Sequence, residues 1–596
     1  MLASGKSSVF YPYPHPMFSK TRVFISFLFP FCALKFCLLG QNPADMPMRQ
    51  VLSGAQELIG QGDYATAAPY LDQLEIRFAD EGNPEVEKIL EQFGFVRGVG
   101  YVQNFAKTGE MSNMQKAADA FAKFVDKYPE NENAVAAMQQ RTTCLRALAG
   151  TDPSKWLEAA QVIEILLDEN QPFKKKIVKR SELMNLYFGR AQCYHITQSW
   201  VKGERAFADL LKYSDLAKDE DRAAYAVSCM VEMFVQTKRI DEVFPLLPRL
   251  SGDTPARFDL RLNVNLMQGA EILKEQERHV EASLLFALTM TTEEIVSFYT
   301  SRAASITSEV ERIQDFIEAQ GRRIPTRRLS ALKEMQNQLA MKATSARSHL
   351  KLAQDTPSFT TILRWRKADN FQACKREWES FWAFYWLYND FPEHEMVENF
   401  LYAAFASANT VKFREKSIEL GEAYLENKEL SKFRADVTFI MSNAYRQEAQ
   451  NQLKVVQELQ SSLASVDKQK AAEAKQKASA YYERFFELCD DFLALKPEDK
   501  YARDFIGMMG SEFFKRQQFE KLLQKFAGFE NGSFTPGAGY INLKGLNPAA
   551  MATANYMSGL ALLATGNFDY AKPLLGAVVG VSLDGLPLDE AALLEN

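Results

Sequence analysis

The sequence lacks the short motifs that mark known enzyme sites. Only five histidines occur in 596 residues, and the last four (His195, His279, His349 and His394) are at least 45 residues apart. There is no glycine-rich phosphate loop, no Gly-x-Ser-x-Gly elbow and no His-Glu-x-x-His pair. We therefore expect no metal site, no cofactor and no catalytic centre, so the chain is predicted not to be an enzyme.

Cysteine is also sparse. Of the seven cysteines, Cys32 and Cys37 lie near the N-terminus, and no Cys-x-x-Cys pair occurs. The other five are far apart, within apolar helical patterns: Cys144, Cys193, Cys229, Cys374 and Cys489. This spacing predicts buried free thiols and argues against a disulfide framework.

Neither sign of charge is in strong excess. The chain has 70 basic and 76 acidic residues, which gives a net charge of −6. A protein that neutralises nucleic-acid phosphates is usually strongly basic, so we expect no nucleic-acid partner.

No long unbroken apolar run occurs in the N-terminal segment 1–40 either. Lys20 and Arg22 precede an apolar run over 23–34, which Pro30 interrupts. The run is too short and broken for a transmembrane helix and is typical of a secretory signal. We predict that 1–40 is a leader and that the protein is exported to the periplasm or cell envelope. An uncleaved N-terminal anchor stays open as the alternative.

The chain does contain a repeated pattern of small and large apolar residues. Two clear copies are Gly62, Tyr64, Ala67, Leu71 and Gly566, Phe568, Ala571, Leu575. The large residue recurs at intervals of 50, 42, 44, 40 and 40 residues, at Tyr64, Met114, Trp156, Trp200, Ile240 and Val280. Small residues let two helices approach closely, and large ones fill the groove between hairpins. The pattern predicts helical hairpins that stack on one another.

These residues resemble the tetratricopeptide (TPR) repeat, a helix-turn-helix unit of about 34 residues. The best matches are the segments 55–78, 191–210 and 559–578. Because the period is longer than that of the family and no copy has the full first-helix signature, we interpret these as elongated, divergent repeats. The resemblance, which extends to bacterial cell-envelope members of this class, implies an all-α fold: a TPR-like superhelical solenoid that binds other proteins.

Two charged stretches interrupt the pattern. In 291–355, two apolar stripes flank a turn signal at 321–325, which predicts a projecting, coiled-coil-like helical hairpin. Its turn carries Arg322 and Arg323, which could contact an acidic partner or anionic lipid. The stretch 446–478 predicts a long helical extension. The expected division is a leader at 1–40, an N-terminal array at 41–290, the hairpin at 291–355 and a C-terminal array at 356–596.

The densest aromatic segment lies in the C-terminal array. Eight aromatic residues occur within 378–391, and four of the six tryptophans lie between 365 and 386. A helix that is apolar all round is normally buried on several sides, and the alternative is an exposed groove for a peptide or glycan. The spacing assigns Trp378, Phe381, Trp382, Tyr385 and Tyr388 to one face, and Phe384, Trp386 and Phe391 to the other.

The expected function is a non-catalytic scaffold of the bacterial cell envelope that binds partner peptides or helices in a repeat groove. The candidate partner-binding residues are Tyr101, Phe105, Tyr194, Trp378, Trp382, Tyr385, Arg322 and Arg323. Two alternatives stay open: a glycan- or polymer-handling adaptor that uses 378–391, and a purely structural homo-oligomer. Peripheral membrane association is a further expectation.

Overall fold

A computed structural model of the chain describes residues 42–78, 83–213, 219–250, 252–459 and 465–579. Within these ranges the protein is all-α, with 24 α-helices, short 3-10 helices and one two-stranded antiparallel ribbon. None of the helices in these ranges is long and apolar enough to cross a bilayer. The predicted leader 1–40 lies outside the described residues.

The chain forms two units that divide between Leu363 and Arg364. The helices of the first unit are α1 (Met48–Gly60), α2 (Tyr64–Phe78), α3 (Pro84–Thr108), α4 (Met111–Lys127), α5 (Ala134–Leu148), α6 (Lys155–Leu167), α7 (Pro172–Lys176), α8 (Arg180–Ile196), α9 (Trp200–Lys212), α10 (Glu220–Gln236), α11 (Leu260–Glu275), α12 (His279–Leu288), α13 (Thr292–Gln320) and α14 (Thr326–Asp355).

Helix α15 (Thr360–Ala373) contains the division. The helices of the second unit are α16 (Glu377–Asp390), α17 (Val397–Thr410), α18 (Arg414–Glu426), α19 (Arg434–Leu459), α20 (Ser465–Leu495), α21 (Ala502–Lys515), α22 (Phe519–Ala527), α23 (Pro548–Ala564) and α24 (Phe568–Val579). Strands β1 (Phe529–Glu530) and β2 (Ser533–Phe534) form the ribbon that follows α22.

Local sequence signals explain where individual helices begin and end. At the start of α13, the Thr291 hydroxyl accepts a hydrogen bond from the Glu294 amide, and the Glu294 carboxylate accepts one from the Thr291 amide. This reciprocal capping satisfies two amide groups that have no partner within the helix. Helix α3 ends at Gly109, whose φ of 73° lies in the left-handed region that favours glycine.

Helices that are neighbours in sequence pack against each other, which confirms the helical-hairpin repeat fold. In unit 1, α1 packs on α2, α3 on α4, α5 on α6, α8 on α9 and α11 on α12. The repeated large residues lie in the first turn of the second helix: Tyr64 and Trp200 are the first residues of α2 and α9, whereas Met114 is the fourth residue of α4. The copy at Ile240 differs in helix type, because Ile240 begins a 3-10 helix (Ile240–Leu250) that contains Pro245 and Pro248. Proline has no amide hydrogen to donate and cannot sit inside a regular α-helix without a break.

The later positions of the first four copies form the core between helices. Ala67 and Leu71 are buried, and so are Phe121, Ile163 and Phe207, which hold the position of Leu71 in the next three copies. The first large residue is exposed in other copies: Val280 and Phe568 are 74% and 65% exposed. A small residue is required where α3 crosses α2, because a Cβ atom on Gly100 would overlap the carbonyl oxygen of Tyr64. The pattern of small and large residues is therefore a packing pattern, as the sequence predicts.

The stretch 291–355 forms α13 and α14, which pack on each other and are joined through a 3-10 turn at Gly321–Arg323. Most buried residues of α13 lie in its first half, and Ile313 is the exception. Helices α19 and α20, which contain the described residues of the stretch 446–478, also pack on each other. The division into a leader, two arrays and an insertion stays a prediction.

Candidate partner-binding surface

Helix α16 has a buried side and an exposed tryptophan side. Phe381, Phe384 and Leu387 are buried in the core of unit 2. Trp378, Trp382 and Trp386 are 50%, 36% and 57% exposed, respectively. Residues four apart lie above one another on a helix, so the three indoles form one row, here called the tryptophan stripe.

The assignment of faces from the sequence was therefore wrong. It grouped Phe381 with Trp378 and Trp382, but Phe381 is buried while both tryptophans are exposed. It also separated Trp386, which joins them in the stripe. The error arises because α16 has large apolar residues on every face. Their spacing therefore does not show which face is buried.

The stripe is held in place by aromatic contacts. The ring centroids of Trp382 and Trp386 are 6.0 Å apart, and the Trp378 ring lies 5.7 Å from that of Phe413. Tyr385 is half-buried, and the Trp382 ring meets it edge-on at 5.7 Å. Contacts at these separations fix the orientation of neighbouring rings. The surface is thus preformed.

The layer beneath the stripe anchors α16. The Phe381 ring lies 4.9 Å from that of Trp382 and 5.7 Å from that of Phe413. The Ser380 hydroxyl donates a hydrogen bond of 3.1 Å to the Ala368 carbonyl of α15. Because the anchoring contacts use the buried side, they leave the indole rings available to solvent.

The charges beside the stripe are paired. Arg376 and Glu379 form an ion pair of 2.9 Å, and Lys416 and Glu419 form one of 2.7 Å. The Lys416 ammonium also lies 5.3 Å above the Tyr385 ring. The apolar stripe therefore has a rim in which these opposite charges offset each other.

The structure places two predicted groove residues, Tyr101 and Tyr194, in the core, which corrects their assignment. Tyr194 is 1% exposed, and Tyr101 is also buried, with its hydroxyl donating to the Asp72 carboxylate. Burial and the neighbouring Asp72 raise the pKa of Tyr101. A side chain without solvent access cannot contact a partner protein. Phe105 is half-buried and packs against the same core.

The predicted arginine contacts lie at the end of the α13–α14 hairpin. Arg323 is exposed. The side chain of Arg322 lies outside the described part of the chain. The structure thus places the predicted residues at separate locations, with Trp378, Trp382 and Tyr385 together on α16.

The sequence did not reveal a concave pocket formed by α20, α21 and α22. Its volume is about 460 Å³, and its lining includes Phe486, Phe513 and Arg516. The guanidinium of Arg516 lies 4.2 Å above the Tyr482 ring, and the Tyr482 hydroxyl donates a 3.1 Å hydrogen bond to buried Glu512. No spacing rule links these residues, because they come from α20, α21 and the turn that follows α21.

Four of the five cysteines in the described residues are buried in the core. Cys144, Cys193, Cys229 and Cys489 are buried, and Cys374 is half-buried. Burial raises the pKa of Cys144 to about 12 and that of Cys193 to about 11. Thiols with such pKa values stay protonated at neutral pH and are poor nucleophiles. Among the described residues, no group of three His, Cys, Asp or Glu side chains could hold a metal ion.

Comparisons with known proteins return only distant structural likeness. No family model matches this sequence, and no curated protein matches it. The chain is similar to a structure of Naa15/Naa10 bound to HypK-THB, with 12% identity, coverage of 92% of this chain and 96% of that chain, and a TM-score of 0.24.

It is also similar to the APC/C hetero-tetramer Cut9–Hcn1, with 12% identity, coverage of 93% and 97%, and a TM-score of 0.20. A circular tandem repeat protein matches with 9% identity, coverage of 92% and 96%, and a TM-score of 0.13. Because these TM-scores are low, the helical-repeat class of this chain rests on its own helix packing.

Proposed function

We propose that this protein is a non-catalytic scaffold that binds a helical segment of a partner protein on the tryptophan stripe. The observation that carries the proposal is the row of three exposed indoles on a helix whose other side is firmly buried. Exposed apolar rows are costly in water, and tryptophan is the residue type most enriched at the energetic centre of protein interfaces.

The geometry of the stripe favours a helix as the bound segment. Trp378 to Trp386 spans eight residues of α16, or about 12 Å along the helix axis. A partner helix with apolar residues at positions i, i+4 and i+8 presents a row of the same length. The paired charges at the rim, Arg376–Glu379 and Lys416–Glu419, favour an apolar partner face over a highly charged one.

The cellular setting belongs to the proposal as well. The apolar run 23–34, which follows Lys20 and Arg22, supports export to the bacterial cell envelope. The partner would then be another envelope protein.

A glycan-binding adaptor is the second candidate, and the exposed tryptophans favour it too. Indole faces stack on the apolar faces of sugar rings, and the rings of Trp382 and Trp386 are tilted by 31° to each other. A saccharide and a helix would compete for the same rings, so the two candidates are distinguished by what binds there.

The test places a photo-crosslinking amino acid at Trp386 and, in a control variant, at Val201. Val201 is a suitable control because it is 65% exposed and lies on α9 of unit 1. We expect a discrete protein adduct from envelope extract at position 386 and none at 201. Equal labelling at both positions, or none at 386, would contradict the proposal.

The glycan alternative is distinguished by intrinsic fluorescence of the unmodified chain. Quenching by oligosaccharide that is lost in Trp386→Ala, together with no protein adduct at position 386, would favour the glycan adaptor. Quenching by the crosslinked partner segment alone would favour the scaffold.

A further inference from the structure

The α13–α14 hairpin extends well beyond the packed part of unit 1. Near its base, the Phe298 ring stacks on Phe258 at 4.1 Å, and Arg302 forms ion pairs with Glu220 and Asp221. Beyond Ala303, the residues of α13 are exposed or half-buried, except for Ile313. From Ala303 to Gln320 the helix continues for 17 residues, or about 26 Å.

Over that length the hairpin is held together by its own contacts. Two side-chain hydrogen bonds join α14 to the described part of α13 beyond Ala303. Arg347 donates to Thr307, and Gln336 donates to Gln314. Ile313 is buried between the helices. The outer hairpin is therefore an arm that projects from the rest of unit 1.

The end of the arm carries an excess of basic residues. Residues 315–333, which include the last turns of α13, contain five basic residues and two acidic ones, Asp315 and Glu318. Arg323, Arg327 and Arg328 are exposed, and no ion pair joins any of them to another described residue. The Arg328 guanidinium lies 5.7 Å above the ring of Phe316, which is 39% exposed.

The arginines at the tip do not serve to stabilise α14. Arg327 and Arg328 lie in the first turn of α14, which has no acidic residue and no side-chain cap. Positive charge at a helix N-terminus is unfavourable, because the amide groups there already carry partial positive charge. The arginines are therefore placed where they oppose folding of the helix.

The arm also places this charge about 26 Å beyond Ala303, near the edge of the packed part of unit 1. The Debye length at physiological ionic strength is about 8 Å, roughly a third of the arm's exposed length. Charges in the packed part of unit 1 therefore have little effect on the local potential at the tip.

We propose that the tip of the α13–α14 hairpin docks on a bilayer that contains anionic lipid. A narrow end of two helices is convex, so it can touch a flat surface but cannot enclose a peptide. Clustered basic residues beside an exposed aromatic ring are the chemistry that anionic headgroups and the membrane interface select. This contact is separate from the tryptophan stripe and does not depend on it.

The test compares two variants of the full chain that lose the same charge. The tip variant is Arg323→Ser, Arg327→Ser, Arg328→Ser. The control variant is Lys468→Ser, Lys470→Ser, Lys475→Ser, which removes three exposed lysines from the other long hairpin. Binding is measured by co-sedimentation with vesicles of phosphatidylcholine alone or mixed with phosphatidylglycerol, at low and high salt.

We expect the wild type and the control to bind phosphatidylglycerol vesicles and to release them at high salt. Each basic residue strengthens such binding about five-fold, so the tip variant should bind about 100-fold more weakly. Equal weakening in both variants, equal binding to phosphatidylcholine alone, or no binding at all would overturn the proposal.

Hydrogen exchange identifies the part of the chain that touches the bilayer, whatever else binds. We expect amides of 317–329 to become protected when phosphatidylglycerol vesicles are added to the wild type, but not in the tip variant. Vesicle binding without that protection would overturn the proposal. Protection by soluble polyglutamate and not by vesicles would assign the tip to an acidic protein instead.

Discussion

At the scale of single residues, a buried charged network in unit 1 is the clearest feature that the sequence did not show. The Nε2 atom of His195 lies 3.0 Å from a Glu232 carboxylate oxygen, and the same oxygen lies 3.4 Å from an Arg261 guanidinium nitrogen. Burial alone would lower the pKa of His195, but its interactions with Cys229 and Glu232 raise it to about 9. His195 is thus charged at neutral pH although it is buried.

This network predicts that stability falls with rising pH. The pKa of His195 is about 6.5 in the unfolded chain and about 9 in the folded one, so its stabilisation is complete below pH 6.5 and lost as pH rises through 9. The shift corresponds to at most about 3 kcal/mol. We expect the free energy of unfolding, measured with urea, to fall between pH 6.5 and 9 in the wild type. His195→Gln should be less stable at pH 6.5 and nearly flat over this window; an unchanged slope would contradict the assignment.

Truncating a side chain on the buried side of α16 should cost much more stability than truncating one on the exposed side. Phe381 is fully buried, so Phe381→Ala should lower the free energy of unfolding by about 3–5 kcal/mol. Trp386→Ala removes a ring that is mostly in solvent, so it should cost less than about 1 kcal/mol. Thermal unfolding of both variants measures the difference. A large loss of stability in Trp386→Ala would show that this ring belongs to the core.

At the scale of helices, the sequence predicted the register of the repeats well. Tyr64, Trp200 and Phe568 are the first residues of α2, α9 and α24. The register is visible because each turn and each inter-helix contact needs a residue of a particular size at a fixed position. The type of helix at Ile240 was less visible, because the prolines that convert it to a 3-10 helix lie outside the repeat positions.

The binding residues were harder to predict than the helices. Tyr101 occupies a first-helix position that a repeat resemblance assigns to the groove, but Asp72 of α2 accepts its hydroxyl hydrogen bond in the core. Burial of a polar side chain depends on a partner elsewhere in the chain, and spacing along one helix contains no information about it. The direction of the tryptophan stripe could not be read from the sequence for a different reason, because α16 has large apolar residues on every face.

The close crossing of α2 and α3 predicts a matched pair of glycine variants. A Cβ atom in Gly100→Ala would overlap the Tyr64 carbonyl oxygen and lie 2.9 Å from the Ala68 Cβ, so the helices would have to separate. We expect a loss of about 1–3 kcal/mol in the free energy of unfolding. Gly60→Ala, at the end of α1, meets no atom within 4 Å and should be neutral or stabilising by up to about 1 kcal/mol. Equal effects in urea unfolding would argue against a packing role for Gly100.

At the scale of each unit, the packing is nearly one-dimensional. Most helices contact their neighbours in sequence, so each contributes its own stability and that of its interfaces. The buried content differs greatly along unit 2: nine residues of α23 are buried, whereas Ala571 is the only buried residue among those described in α24. Helices at the end of such an array can open while the interior stays folded.

This gradient predicts the order of hydrogen exchange within unit 2. Amides of α24 should exchange first and those of α21 and α23 much later, because α24 can detach without exposing the apolar residues between α21 and α23. Ala571→Gly should speed exchange in α24 and leave α21 unchanged, since it weakens only the interface of α24 with α23. Mass spectrometry of peptides over time measures both rates. Exchange of all three helices at one common rate, in the wild type and the variant alike, would show that unit 2 unfolds as a single cooperative body and not helix by helix from its end.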